Sequence, residues 1–154
     1  MRHDLILVGI GHPDRGDDSV GPLAIEALKK RLPTVKMRSI LGDVSSLIDI
    51  FANHACVILI DAITSGAKSG TIFRLEENLL NELAQSCRSS THTFDLSQIL
   101  EIANNLNSLP DKLIIFGMEG ANFSVGEGLS LPVVAQFDTF VDSIYKEVQK
   151  ILRG

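Results

Sequence analysis

The chain has 154 residues, 45% hydrophobic and 21% charged, with a formal net charge of -5. This length and composition favour one globular domain, burying about 68–70% of the surface that its unfolded chain would expose. They argue against a disordered chain, and the acidic balance excludes the basic footprint of a nucleic-acid reader.

Leu5–Gly11 reads as a first strand, a short apolar run closed by glycine. His12–Asp18 is a loop rich in Asp and Gly. Ser19–Leu32 follows as a helix, with Val20, Leu23, Ala24, Ala27, Leu28 and Leu32 on one stripe and Pro22 in the tolerated first turn. Lys29, Lys30 and Arg31 close it as the helix dipole favours, and Pro33 stops it. Val35–Leu41 is a second strand, and Ser45–Ala52 a short helix with Ser45 as N-cap. Cys56–Ile60 is a third strand, followed by Asp61. After a loop over Thr64–Gly70, Thr71–Leu75 alternates as an edge strand does, and Leu79–Ala84 fits a helical turn or two. Gln85–Thr93 is polar and irregular. Asp95 caps a helix through Leu106, whose apolar face holds Leu96, Ile99, Leu100, Ala103 and Leu106. Leu113–Met118 is another buried strand, Glu119–Leu129 a hairpin or loop, and Leu131–Leu152 the last helix, with Pro132 in its first turn.

Strands alternating with helices predict βαβ units. The expected architecture is a single α/β domain over residues 1–154, a mostly parallel twisted sheet sandwiched between helices, phosphorylase- or hydrolase-like. Met1–Asp4 run straight into an apolar segment too short for a signal-peptide core, and no apolar run reaches the roughly 18–20 residues of a membrane span. Cys56 and Cys87 do not form a close metal-type pair, and Cys56 heads an apolar run as a buried thiol would. A reduced, cytoplasmic setting, a monomer and no membrane partner are expected.

In open α/β sheets ligands bind beyond the carboxyl ends of the strands. Asp18 and Asp61 stand at such places, and two converging acids suffice to hold a metal or to do acid–base work. Each also has a plainer explanation. Asp17-Asp18 suits a helix N-terminus, Asp61 suits a turn, and His92, like His12 and His54, suits a solvated loop. Gly9-Ile10-Gly11 after a strand suggests a dinucleotide loop, but the third glycine of that fingerprint is replaced by Asp14, which would repel a pyrophosphate. Taken together, Asp18, Asp61 and His92 make a mixed oxygen–nitrogen set suited to nickel, zinc or manganese, with open positions left for a reacting group.

The run Gly9-Ile10-Gly11-His12-Pro13-Asp14-Arg15-Gly16-Asp17-Asp18-Ser19-Val20-Gly21-Pro22 closely resembles the opening of the nickel–iron hydrogenase maturation endopeptidases. Val57–Ala62 looks like their second acidic strand end and Thr91-His92 like their histidine segment. Phe116-Gly117-Met118-Glu119, then Gly128-Leu129-Ser130, is similar to their late strand and the start of their last helix. The ordered set covers nearly the whole chain. Three features depart from the family pattern: His12 stands where Asn is usual, Leu41-Gly42-Asp43-Val44 replaces an Asp-Gly-Gly-Thr loop, and Thr93-Phe94 follows the histidine in place of a Gly- or Gln-Leu pair.

The resemblance implies a peptidase that removes the C-terminal extension of a hydrogenase large-subunit precursor after nickel has entered that subunit. The nickel would be supplied by the precursor, with no tightly bound metal of the enzyme's own. Asp18, Asp61 and His92 would be the nickel-contacting and catalytic set. A carboxylate acting as general base and a metal-bound water acting as nucleophile are both open routes to the peptide bond. Asp17 would be a cap and supporting residue, and His12 and Glu119 candidates for the crevice wall. Two other classes are weighed beside this one. A nickel-sensing module without proteolysis would use the same three residues. A nucleoside- or phosphate-binding α/β protein would need a phosphate-cradling glycine loop and a basic anchor, which the sequence lacks.

Overall fold

The computed structural model describes residues 4–76 and 96–154. Among the described residues, five strands form one sheet: β1 (Leu5–Ile10), β2 (Lys36–Ile40), β3 (Cys56–Ile63), β4 (Ile72–Glu76) and β5 (Lys112–Glu119), in the order β2-β1-β3-β5-β4. All neighbours are parallel except the β4–β5 pair. The described helices are α1 (Val20–Arg31), α2 (Leu47–Asn53), α3 (Leu96–Asn105) and α4 (Leu131–Arg153). None is long and apolar enough to cross a membrane. The turns expected over Leu79–Ala84, together with Cys87, His92 and the Asp95 cap, lie outside the described residues.

The two-residue period of β1 divides the core. Ile6, Val8 and Ile10 face α2 and α3, joining Leu47, Phe51, Ile99 and Ala103. Leu5 and Leu7 face α1 and α4, joining Ala24, Leu28, Phe140 and Ile144. A sheet buried on both faces explains why β1, β3 and β5 read as continuous apolar runs. The edge strand β2 buries only Ile40 fully. At the other edge, β4 is fastened to α4 by Arg74, whose Nε donates to Glu147 Oε1 at 2.7 Å.

Several expectations are corrected. The third strand does not stop at Ile60. It runs to Ile63 because β5 pairs with it over its whole length, Asp61 opposite Gly117 and Ile63 opposite Glu119. Asp61 is therefore a strand residue rather than a turn residue. Ser45 is not the cap of the second helix. It lies in a 3-10 turn, Val44–Ser46, and donates its N–H to Asp43 Oδ1 at 2.9 Å, so Asp43 is the capping side chain. Leu106 falls beyond the end of α3 and is 59% exposed, off the apolar face where periodicity put it.

The start of α1 lies against the ends of β1 and β3. A Cβ on Gly21 would stand 2.5 Å from Ile10 O and 2.7 Å from Ile60 O, and one on Gly9 would stand 2.5 Å from Gly21 O. The glycines of the first motif thus serve a backbone-to-backbone approach. Gly21→Ala has no flexible side chain to displace, only two strands. It should cost about 3 kcal/mol or more, read as a lower urea midpoint at unchanged m-value. A variant within 0.5 kcal/mol of the parent, roughly the scatter of a neutral surface change, would show that the helix can shift freely.

Candidate active site

The chain leaves β1 toward β2 on one side and returns to β3 on the other. The connections therefore diverge at the carboxyl ends of β1 and β3, where a doubly wound sheet opens a crevice. Asp18 and Asp61 both stand there, each only 1% exposed.

Asp18 lies in a 3-10 turn, Gly16–Ser19, that joins the loop after β1 to α1. Its Oδ2 accepts from the His12 main-chain N–H at 3.0 Å and lies 2.7 Å from His12 Nδ1. Gly11 makes this return possible. Its φ is +144°, and a Cβ there would run into Asp18 O. Asp61 Oδ1 accepts the N–H of Ala62 at 2.8 Å. Burial pushes the Asp61 carboxyl well above the ordinary range, the charge of Asp18 pushes it further, and the Ala62 N–H opposes both. The turn that carries Asp18 packs against β3, so the two buried carboxyls lie at the same end of the sheet. A buried carboxyl raised in this way keeps its proton or meets an arriving cation.

The neighbouring acids hold loops. Asp17, fully buried, caps no helix. Its Oδ2 accepts from Ala121 N at 2.7 Å, Asn122 N at 3.0 Å and Ser130 Oγ at 2.7 Å, and its Oδ1 from Ser130 N at 2.7 Å. It ties the 120–130 loop to the turn that carries Asp18. Glu119, at the end of β5, accepts from Ser65 N through both oxygens at 3.1 and 3.0 Å, and from Ser65 Oγ at 2.6 Å. It fastens the loop after β3 beyond Asp61.

Of the predicted set, the structure brings Asp18 and Asp61 together, while His92 lies outside the described residues. Among the described residues no three His, Cys, Asp or Glu side chains are grouped to hold a metal ion. The two acids are two oxygen donors, short of the three protein ligands typical of a working metal site. His12, a candidate for the crevice wall, stands beside Asp18, with Nδ1 2.7 Å from Oδ2. Its one signal was its place directly after Gly-x-Gly, six residues before Asp18.

A family model, HycI, described as hydrogenase maturation protease, matches residues 24–147. The hydrogenase expression/formation protein HupD of Rhizobium leguminosarum bv. viciae is 22% identical over 153 residues, covering 97% of this chain and 74% of that protein. HupD of Thiocapsa roseopersicina is 24% identical over 124 residues, 77% of this chain, and the match spans only 56% of that protein's length. Among solved structures, the hydrogenase maturating endopeptidase HybD from E. coli superposes with a TM-score of 0.83 at 23% identity, covering 97% of this chain and 93% of that one. The [NiFe] hydrogenase maturation protease HycI from Thermococcus kodakarensis KOD1 gives 0.72 at 21% identity, covering 99% and 94%. At these identities the structural likenesses establish the fold.

Proposed function

The chain belongs to the hydrogenase maturation protease family, and from that premise we propose that it is an endopeptidase of the cytoplasm that removes the C-terminal extension of a nickel-loaded hydrogenase large-subunit precursor. The observation that carries this reading is the buried pair Asp18 and Asp61 at the β1/β3 crevice, with Asp61 held above the ordinary carboxyl range by burial and by its neighbour's charge. Two acids buried at one end of the sheet gain when a divalent cation arrives. Asp61 then gives up its proton, and both acids offer anionic oxygens to the incoming ion.

The nickel is part of the substrate in this reading. Asp18, Asp61 and His92 complete the coordination of an ion that the precursor already holds, which sets the scissile peptide beside a Lewis acid. Modest ligands suit this task, because the precursor has already ordered the metal and fewer groups remain to be fixed. The free protein, acting as a monomer, should hold nickel weakly. Asp17 and Glu119 act indirectly, by holding the 120–130 loop and the loop after β3 around the crevice.

The deciding experiment incubates the protein with purified nickel-loaded and nickel-free precursor and weighs the products. The loaded precursor should lose the mass of its C-terminal extension and the unloaded one should stay intact. Equal cleavage of both would overturn nickel recognition. A tight complex with no mass change would replace the peptidase with a nickel-sensing module.

A further inference from the structure

His12 and the loop after β2 are two places where the chain departs from the pattern that its sequence resembles, and in the fold they meet. The His12 ring is packed between Asp18 and Gly42. Nδ1 lies 2.7 Å from Asp18 Oδ2, and on the other side a Cβ on Gly42 would stand 3.2 Å from Nε2 and 3.8 Å from Cε1. Gly42 also has a φ of +86°, a conformation in which a side chain is strained, so the loop is kept bare where the ring lies. The two chain segments are joined just before this point, where Gly11 N donates to Ile40 O at 3.1 Å. The ring is therefore bounded on the β2 side and sets Nδ1 against the acid.

Two nitrogens of residue 12, main-chain and ring, converge on the same carboxylate oxygen. Asp61 is treated in a similar way, since its Oδ1 is held by a main-chain N–H. A carboxylate held by one oxygen has a set plane and a set direction for the other. Outer partners of this kind orient a ligand toward a metal and typically alter affinity or activity by about 10- to 100-fold when removed.

We propose that His12 is a positioning residue, which grips Oδ2 of Asp18 from two directions and so presents Oδ1 to the nickel of the precursor. The proposal rests on the function proposed above and adds a residue to it. The ring acts through Asp18 and makes no bond to the substrate. Its part is geometric, so an amide that places an N–H where Nδ1 lies should stand in for it.

The test compares the parent with His12→Ala and His12→Asn in two assays. In processing of nickel-loaded precursor, His12→Ala should lower kcat about 10- to 100-fold with KM little changed, because the main-chain N–H still holds Asp18 but the ring bond is gone. His12→Asn should recover most of that loss. In calorimetric titration of the free protein with Ni2+ alone, the affinity should fall in the alanine variant and return in the asparagine variant. A His12→Asn variant as slow as His12→Ala would overturn the proposal, because the imidazole itself would then take part. So would a loss expressed in KM alone, or an alanine variant as fast as the parent. If the parent fails to process the precursor, the proposed function falls, and the nickel titrations still decide whether residue 12 orients Asp18.

Discussion

Asp61→Asn is expected to abolish processing and, at the same time, to raise the melting temperature. The two effects have one cause. The carboxyl is buried, faces the charge of Asp18, and is pushed well above its ordinary value of 3.8. Between that value and the raised one, the folded state binds a proton that the unfolded state has released. Stability from this group is therefore full below the unfolded value and is lost as pH rises through the folded one. Asparagine keeps the volume, leaves an oxygen to accept the Ala62 N–H, and carries no charge to desolvate. The variant should gain about 1–2 kcal/mol at neutral pH, within the range of single stabilising changes, or roughly 2–8 °C for a chain of this size. The gap should close as the pH falls below 3.8, because the parent is then protonated in both states. Processing should drop by at least about 100-fold, since the group can no longer give up a proton and offer an anionic oxygen. Thermal melts across pH, paired with the mass assay, test both halves. A variant that melts lower than its parent at neutral pH would contradict the strain assigned to Asp61, and normal processing would remove it from the site.

Asp17→Ala should have the opposite character, a large loss of stability with the acid pair left in place. Three main-chain N–H groups and one hydroxyl converge on this fully buried carboxylate. Removing it strands donors from Ala121, Asn122 and Ser130 that the loop cannot turn outward without leaving the turn it packs on. Ser130 also stands at the N-cap of α4, so the start of the longest helix is loosened as well. Hydrogen bonds to a charged group contribute about 1.5–3 kcal/mol each, and unsatisfied buried donors add a penalty. These contributions are not additive, and a net loss of about 4 kcal/mol is expected, lowering the melting temperature by roughly 8–16 °C. Asp17→Asn should fall between the variant and the parent, because its amide nitrogen would meet donors where an oxygen accepted them. Urea titrations of the three proteins measure the order directly. An alanine variant within 1 kcal/mol of the parent, a typical point-mutant effect, would mean that the 120–130 loop is held by other contacts.

The elements were legible in the chain where a local pattern dictates them. The apolar runs of β1, β3 and β5, the stripe of α1 and the long amphipathic α4 all form near their expected bounds, because burial on one face or both writes its period into neighbouring residues. The errors fall where a distant partner decides. β3 runs past Asp61 because β5 is there to pair with it. Asp43, rather than Ser45, caps the turn before α2, a matter of which side chain the loop aims inward. Leu106 keeps the helical phase but lies past the point where α3 ends.

The site divides in the same way. Residue type and spacing along one segment suffice to mark an α/β chain, its buried strands and the acids near their carboxyl ends, although Asp61 lies inside β3 rather than after it. The sequence also carried the ordered motifs by which the family is known. The folded arrangement alone sets Asp18 and Asp61 at the same end of the sheet, aims their neighbours Asp17 and Glu119 at loops, and lays the His12 ring between Asp18 and Gly42. The physical reason is that a hydrogen bond or a desolvated charge depends on direction and distance between segments. A carboxylate one residue along, as Asp17 is from Asp18, points to different partners, and nothing in the order of residues states which N–H groups will meet it.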